Sequence, residues 1–288
     1  MVKFEKSGLI ISTLIFIIQN MNKHLIIAAA ILLLAVGCKD FQKNDKNASQ
    51  IEKSAQELND EITHSIVNEA IKMHGGKLYD SAHYQFTFRD KVYSFENKNG
   101  YTYKVSSKDS LGNKIVDIMQ NGQLARMVNN ELVELSEKDI AKYTEALNSV
   151  IYFATLPHKL NDKAVQKTGV GETTIKGEDY DIVRVTFGKV GGGKDFDDVF
   201  MYWINKKSHY INYLAYSYSV NEGGVRFRSA YNPRTIDGIR FQDYINWEAP
   251  VGTPLKELPA MFEKGQLKEL SRIETKDIQN LNAIDVVE

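Results

Sequence analysis

The chain has 288 residues, of which 43% are hydrophobic and 25% are charged. These values are typical of a globular protein and exclude a collagen-like, disordered or multi-span membrane chain. The 36 basic residues are matched by 37 acidic ones, so the basic excess of a nucleic-acid binder is absent and no nucleic-acid partner is predicted. Cys38 is the only cysteine, which excludes an internal disulfide and a metal cage made of thiolates.

Residues 1–37 are predicted to be a secretory signal peptide. The apolar run 25–37 follows Lys23 and is shorter than the roughly 20 residues that a membrane-spanning helix needs, as is typical of a signal peptide. Because Met21 opens a complete signal by itself, residues 1–20 are interpreted as an upstream extension from a wrongly assigned start codon. The alternatives left open are a long signal peptide and a membrane hairpin.

Cys38 is predicted to be lipidated. The stretch Leu34–Cys38 resembles the bacterial lipobox, in which a cysteine behind small residues is acylated and becomes the mature N-terminus, although Ala35 stands where leucine is usual. Several acyl chains, each contributing about 0.8 kcal/mol per buried methylene, make a stable membrane anchor. By resemblance to enteric lipoproteins, Lys39 favours the outer membrane, with the periplasmic side preferred over the cell surface. The alternative is an unmodified cysteine, and residues 38–53 are predicted to be a flexible tether.

Residues 54–288 are predicted to form one mainly β domain with helices (α+β). Apolar residues recur at helical spacing over Ser54–His74 and Ser136–Thr155, so two main helices are expected there, each opening with a serine and an acidic residue as a capping pair. Alternating apolar residues between turn signals predict roughly ten to twelve antiparallel strands. The last strand is expected over Leu267–Ile278, and His74 is expected to complement the end of the first helix as a cation.

The layout is similar to that of the periplasmic lipoprotein-carrier and lipoprotein-receptor superfamily of the LolA and LolB type. The motif that carries the resemblance is Tyr202–Ser208, because a strand reading aromatic-Ile-Asp/Asn-Lys-x-Ser/Thr lies at a comparable place in that superfamily. The resemblance implies an unclosed antiparallel half-barrel whose concave face is covered by helices and takes up acyl chains.

A second resemblance is to a group of uncharacterised Gram-negative bacterial lipoproteins. The residues that carry it are His74–Gly76, Leu156–Pro157, Leu160–Asp162, Gly191–Gly193 with the aspartates that follow, Tyr202–Trp203 and Arg226–Arg228. This resemblance implies no assigned activity.

The first functional hypothesis is non-enzymatic binding of an acyl chain or another amphipathic ligand beneath the helix over 136–155. The ligand would be a lipid or the acyl chain of a lipoprotein. The candidate binding residues are Phe86, Phe88, Ile151, Phe153 and Trp203. Aromatic side chains are common in such pockets. The competing interpretation is that they build the core, as the many strand tyrosines do.

The alternative hypothesis is a polar site for ion-dependent ligand binding or hydrolysis. Three glycines and three aspartates in the 191–198 loop could hold calcium, and two arginines on one strand face could bind a carboxylate or phosphate. The candidate residues are Asp195, Asp197, Asp198, Arg226 and Arg228. The simpler interpretation is a solvated loop, with the arginines paired to Asp243 or to the loop aspartates.

No catalytic residue and no metal ligand is predicted beyond that loop, and calcium is the one cofactor considered. The histidines lack the spacing of a zinc site, and no serine stands in a nucleophile motif. A structural envelope protein that scaffolds partners is the third hypothesis left open.

Overall fold

The computed structural model describes residues 50–188, 198–219 and 222–283. The chain divides into two compact units, residues 1–58 and 59–288, and every strand named below belongs to the second. The predicted signal peptide, Cys38 and residues 39–49 of the predicted tether lie outside the described residues. Within the described ranges, no helix combines the length and the hydrophobicity needed to cross a bilayer.

The two predicted main helices are confirmed. The α-helices of the described ranges are α1 (50–73), α2 (Glu137–Ala154) and α3 (Leu258–Glu263), and the 3-10 segments are Gly76–Ser81, His158–Asn161, Leu255–Glu257 and Leu281–Ala283. The capping role of Ser54 is wrong, because residue 50 is already helical and the Ser54 hydroxyl donates to the Ile51 carbonyl (2.9 Å). The α2 cap is confirmed, since the Asp139 amide donates to Oγ of Ser136 at 3.2 Å.

The strands of the described ranges form two antiparallel sheets of seven. They are β1 (His83–Phe88), β2 (Lys91–Glu96), β3 (Thr102–Lys108), β4 (Lys114–Gln120), β5 (Gln123–Val128), β6 (Glu131–Val133), β7 (Val165–Ile175), β8 (Glu178–Phe187), β9 (Val199–Asn205), β10 (Ile211–Tyr218), β11 (Gly224–Ile236), β12 (Ile239–Ala249), β13 (Lys268–Ile273) and β14 (Thr275–Asn280). The first sheet has the order β14-β1-β2-β3-β4-β5-β6, and the second β13-β12-β11-β10-β9-β8-β7. The mainly β, unclosed antiparallel prediction is confirmed. The strands form two sheets of seven, whereas a single half-barrel of roughly ten to twelve strands was predicted.

The predicted last strand, Leu267–Ile278, is in fact two strands in different sheets. Ile273 pairs with β12 in the second sheet, whereas Thr275 pairs with β1 in the first. Asp243, only 3% exposed, accepts the Thr275 amide at 3.0 Å just where the chain changes sheets. The alternation of side chains records which face each residue occupies but not which strand it pairs with, so the sequence pattern could not reveal this change.

The second sheet is buried on both of its faces. Along β9, Phe200 and Tyr202 pack into one apolar cluster, while Met201 and Trp203 pack into another, because successive side chains of a strand point to opposite faces. The cluster around Trp203 also contains Leu258 of α3. The other face of this sheet is therefore the one left to form a site with α2.

Helix α2 contacts the cores of both sheets. Leu147 and Ile151 belong to the core of the first sheet, together with Phe86 of β1. Tyr152 and Phe153, on the neighbouring side of the helix, pack against the cluster of the second sheet that includes Tyr202. The 3.6-residue period of the helix places these pairs on different faces, so α2 lies against both sheets.

His74 is not a cationic helix cap. It is 1% exposed, and burial lowers its pKa to about 4. Its Nδ1 lies 2.8 Å from the Ala70 carbonyl, and because a carbonyl only accepts, this nitrogen carries the proton of a neutral ring. The prediction is wrong because β12 covers this end of α1, where the Arg240 amide donates to the His74 carbonyl (3.1 Å).

Candidate ligand pocket

A cavity of about 220 Å³ lies between α2 and the β12–β13 side of the second sheet. Most of its wall is apolar, and its lining residues are Phe88, Arg89, Ser149, Val150, Phe153, Ala154, Arg228, Gln242, Tyr244, Asn246, Ser271, Ile273 and Thr275. An apolar cavity of about 150 Å³ in another protein binds benzene, so a space of this size is large enough for part of a small apolar ligand.

A polar row runs along the floor of this cavity. Arg228 of β11 is the register partner of Asn246 on β12, and Asn246 is the partner of Ser271 on β13. Residues directly opposite one another in an antiparallel sheet point to the same face, so the three side chains stand side by side below α2. The row gives the cavity a charged and polar floor, and Arg89, Ser149, Gln242 and Thr275 are further polar residues of its lining.

The Arg228 guanidinium is buried without a carboxylate partner among the described residues. The residue is 7% exposed, and its Nη2 donates to the Tyr216 hydroxyl at 3.0 Å. The guanidinium carbon lies 3.9 Å from the centre of the Phe153 ring, which is a close cation–π contact. Its Nε and Nη1 have no hydrogen-bond partner in the described part of the chain.

The buried guanidinium of Arg228 is incompletely satisfied in this arrangement. Removing a guanidinium from water costs several kcal/mol, and a single hydroxyl partner with two aromatic faces offsets only part of that cost. Asn246 has the same deficiency, since its Oδ1 is buried and unpartnered while Nδ2 makes one long bond of 3.4 Å to Ser271. Of the described residues that have an unpartnered buried polar atom, Arg228 and Asn246 are the ones that line this cavity.

The structure divides the predicted apolar site. Phe88 and Phe153 line the cavity. Phe86 and Ile151 are fully buried in the core of the first sheet, and Trp203 lies in the cluster on the far face of the second sheet. The five were selected as apolar residues of predicted strands and of the predicted 136–155 helix, but which of them borders a cavity depends on how the sheets and α2 are placed.

The predicted polar site is divided as well. Asp195 and Asp197 lie outside the described residues, whereas Asp198 is described and half-buried. Arg226 donates to the Tyr218 hydroxyl at 2.9 Å and lies 3.6 Å from Glu248, so its predicted structural pairing has a different acidic partner. No cluster of three or more histidines, cysteines or acidic residues occurs in the part of the chain that the structure describes. The calcium hypothesis stays a prediction.

Asp243 is not the partner of Arg226 or Arg228. It pairs with Arg234, whose Nη2 lies 2.9 Å from Oδ1 of Asp243. It also accepts a hydrogen bond from the side-chain amide of Asn232 at 2.7 Å. Arg234 lies on the last part of β11, which continues as far as Ile236. Arg228 therefore remains without the acidic partner that the sequence suggested.

Several cavity residues were not identified from the sequence. Tyr244, Asn246, Ser271 and Ile273 become neighbours of Arg228 and Phe153 only through the β11-β12-β13 register. The one available signal is Asn246, a polar amide between Ile245 and Trp247 in β12. Such a residue requires a hydrogen-bond partner when buried, which marks it for attention.

A second cavity, of about 280 Å³, lies on the opposite side of α2. It is lined from the helix by Thr144, Asn148 and Tyr152, whose hydroxyl forms a 2.9 Å hydrogen bond with the Tyr202 hydroxyl. Burial raises the pKa of Tyr152 far above its usual value, so the hydroxyl stays protonated. In the described ranges, no residue that lines this cavity has an unpartnered buried polar atom, so the criterion that marks the first cavity is not met here.

The fold and the pocket define a mainly antiparallel β protein with a small apolar cavity beside a covering helix. The chain belongs to the DUF6503 family, a family of unknown function, whose model matches residues 25–275. The predicted membership of a family without an assigned activity is confirmed. No curated protein matches the chain.

Solved structures that resemble the chain include a LolA superfamily protein from Nitrosomonas europaea, with 12% identity, coverage of 76% of this chain and 93% of that one, and a TM-score of 0.46. A DUF1329 family protein from Desulfovibrio piger has 11% identity, coverage of 76% and 93%, and a TM-score of 0.38. The lipoprotein LppX from Mycobacterium tuberculosis has 11% identity, coverage of 54% and 88%, and a TM-score of 0.27. The sequence resemblance named the same superfamily as the first of these.

Proposed function

We propose that the protein is an envelope lipoprotein that binds an acyl chain or other amphipathic ligand, without catalysis, in the cavity between α2 and the second sheet. The observation that carries the proposal is the cavity itself, whose surface is mostly apolar and whose floor carries the polar row of Arg228, Asn246 and Ser271. Ligand pockets typically combine mostly apolar walls with a few placed polar groups. Phe88 and Phe153 are the two predicted binding residues that would contact the ligand.

The proposed location follows from the N-terminal residues. Cys38 would carry the acyl anchor, and the domain would face the periplasm from the outer membrane. Replacing Cys38 by serine should move the protein from the membrane fraction to the soluble periplasmic fraction, because one cysteine provides the whole anchor. Continued membrane association of that variant would contradict the anchor.

The binding proposal is best tested by filling the cavity. Ser149 lies on α2 at the cavity wall and is exposed at its mouth, so Ser149→Trp should occlude the space while leaving the core intact. We expect at least about a tenfold loss of affinity for 1-decanol, an uncharged probe, measured by titration calorimetry, since an occluded cavity can no longer bury the alkyl chain.

Ala146→Trp is the matched control. Ala146 is exposed on the same helix and lines neither of the two cavities, so this variant should bind decanol as the wild type does. Lipid extracted from the purified wild-type chain should be detectable by mass spectrometry and depleted in Ser149→Trp. The proposal fails if decanol does not bind the wild type and no lipid is extracted, or if both tryptophan variants bind decanol equally.

A further inference from the structure

The cavity has a cation at one end that the fold itself leaves unsatisfied. Arg228 is only 7% exposed, yet its Nε and Nη1 have no acceptor among the described residues. Arg234 and Arg126 provide the comparison, because the partly buried guanidinium of each is paired with a carboxylate, Asp243 and Asp117 respectively. Buried charges in proteins are normally paired, so an unpaired one inside a cavity indicates a missing anion.

We infer that the ligand is an anionic amphiphile whose acidic headgroup binds Arg228. This inference rests on the proposed function and specifies the class of ligand. The headgroup oxygens would accept from Nε and Nη1, replacing the water that both donors lose on burial. The Tyr216 hydroxyl and the Phe153 ring hold the guanidinium from its other sides, so the cation is fixed before the ligand arrives.

Asn246 and Ser271 complete the polar end. The oxygen and nitrogen of an asparagine amide have the same shape, and exchanging them turns the unpartnered buried atom into a donor. In that orientation the Ser271 hydroxyl donates to the amide oxygen, across the 3.4 Å contact that already joins the two side chains. The headgroup would then meet donors from both Arg228 and its register partner on β12.

The apolar walls fix the position of the tail. Val150 and Phe153 on α2 face Ile273 on β13 across the cavity, and Phe88 of β1 borders it towards the first sheet. An alkyl chain that leaves the headgroup at Arg228 would run between the helix and the two sheets. Burial of its methylenes there lets the tail provide affinity, while Arg228 provides selectivity.

The test compares decanoate, decyl phosphate and 1-decanol, which share a ten-carbon chain, in titrations of the purified wild-type chain and of Arg228→Met. Methionine keeps an unbranched apolar side chain over the Phe153 ring and removes the charge. We expect the wild type to bind at least one of the two anions about tenfold or more tightly than decanol. In Arg228→Met that preference should fall to less than about twofold. Whether decanoate or decyl phosphate is preferred tells a carboxylate from a phosphate headgroup.

Arg226→Met is the control variant. Arg226 is on the same strand face two residues away, has Glu248 and Tyr218 as its own partners, and does not line the cavity. It should keep the wild-type preference for the anion. The melting temperature of ligand-free Arg228→Met checks folding, and we expect it to equal or exceed that of the wild type, since an unpaired buried charge has been removed.

The outcomes separate the two proposals. A preference for an anion in the wild type that is lost in Arg228→Met and kept in Arg226→Met supports the inference. Equal binding of the anions and decanol by the wild type overturns the inference and leaves the proposed function standing. An anion preference that persists in Arg228→Met also overturns it. If none of the three probes binds the wild type and no lipid is extracted from it, the proposed function itself fails.

Discussion

Replacing Asp243 by alanine should lower the free energy of unfolding by about 3 kcal/mol. Asp243 is 3% exposed. Its carboxylate accepts hydrogen bonds from the Arg234 guanidinium, the Asn232 side-chain amide and the Thr275 backbone amide. Arg234 also donates to the carbonyl and hydroxyl of Thr275, so this network joins β11, β12 and β14. The expected loss lies at the low end for a broken buried pair because the Arg234 side chain is 23% exposed and keeps some access to water.

Urea unfolding of Asp243→Ala and of the wild type would measure the difference. Glu269→Ala is the matched control, because Glu269 forms a 3.0 Å ion pair with Arg272 at exposed positions and its loss should cost less than about 1 kcal/mol. Amide hydrogen exchange should also accelerate at Thr275, whose amide donates to Asp243 at 3.0 Å. Equal stability of Asp243→Ala and Glu269→Ala would show that the junction does not depend on this carboxylate.

Lowering the pH from 7 to 5 should cost the wild type about 2 kcal/mol through His74 alone. In the folded state burial lowers the His74 pKa to about 4, whereas in the unfolded chain it has the ordinary value near 6.5. Between these two pKa values the unfolded chain binds a proton that the folded protein does not. The stabilisation is therefore fully present above about pH 6.5 and is lost as the pH falls towards 4.

The unfolding free energies of the wild type and His74→Phe, measured at pH 7, 6 and 5, test this expectation. Phenylalanine cannot titrate and has a ring of similar size, so its variant should lose about 2 kcal/mol less over the same range, whatever its absolute stability. His158, whose pKa burial also lowers, is present in both proteins and cancels in the comparison. Parallel pH profiles for the two proteins would contradict the assignment of a buried neutral ring to His74.

The two predictions concern places where a buried polar group is tolerated because the fold satisfies it or keeps it neutral. Asp243 has several donors around it, and His74 remains uncharged at neutral pH. Arg228 differs from both, since a guanidinium cannot lose its proton near neutrality and has one hydroxyl partner. A charge that can be neither neutralised nor paired within the described fold is the reason to look for an external ligand at that point.

Local sequence patterns correctly predicted the elements that depend only on residues close together in the chain. The helical period and the Ser136–Asp139 capping pair placed α2 correctly, because a cap and an amphipathic face depend on residues within a few positions of each other. Asn121–Gly122, a strong hairpin signal, lies at the turn between β4 and β5. Local reasoning failed at 267–278, where Thr275 pairs with the distant strand β1.

The candidate site shows the same limit. Phe88, Phe153 and Arg228 were all selected from the sequence, but for two competing sites, and only the structure places the three around one cavity. Phe86 and Trp203 carry the same local signal as Phe88 and Phe153, yet the structure buries them in two other clusters. The pattern of apolar residues indicates that a side chain faces inward. Whether that side chain borders a cavity or fills a core depends on which other elements pack against it.

By itself, the sequence determined the class of the protein: a mainly antiparallel β domain with two main helices, behind a segment that reads as a secretion and lipidation signal. These properties depend on composition, on period and on short motifs, which are local. Only the tertiary structure decided that the second sheet is buried on both faces, that the chain changes sheets at Glu274, and that Arg228 ends in an apolar cavity without an acidic partner in the described residues. Those facts depend on strand register and on where α2 lies, and both are set by contacts between residues that are far apart in the chain.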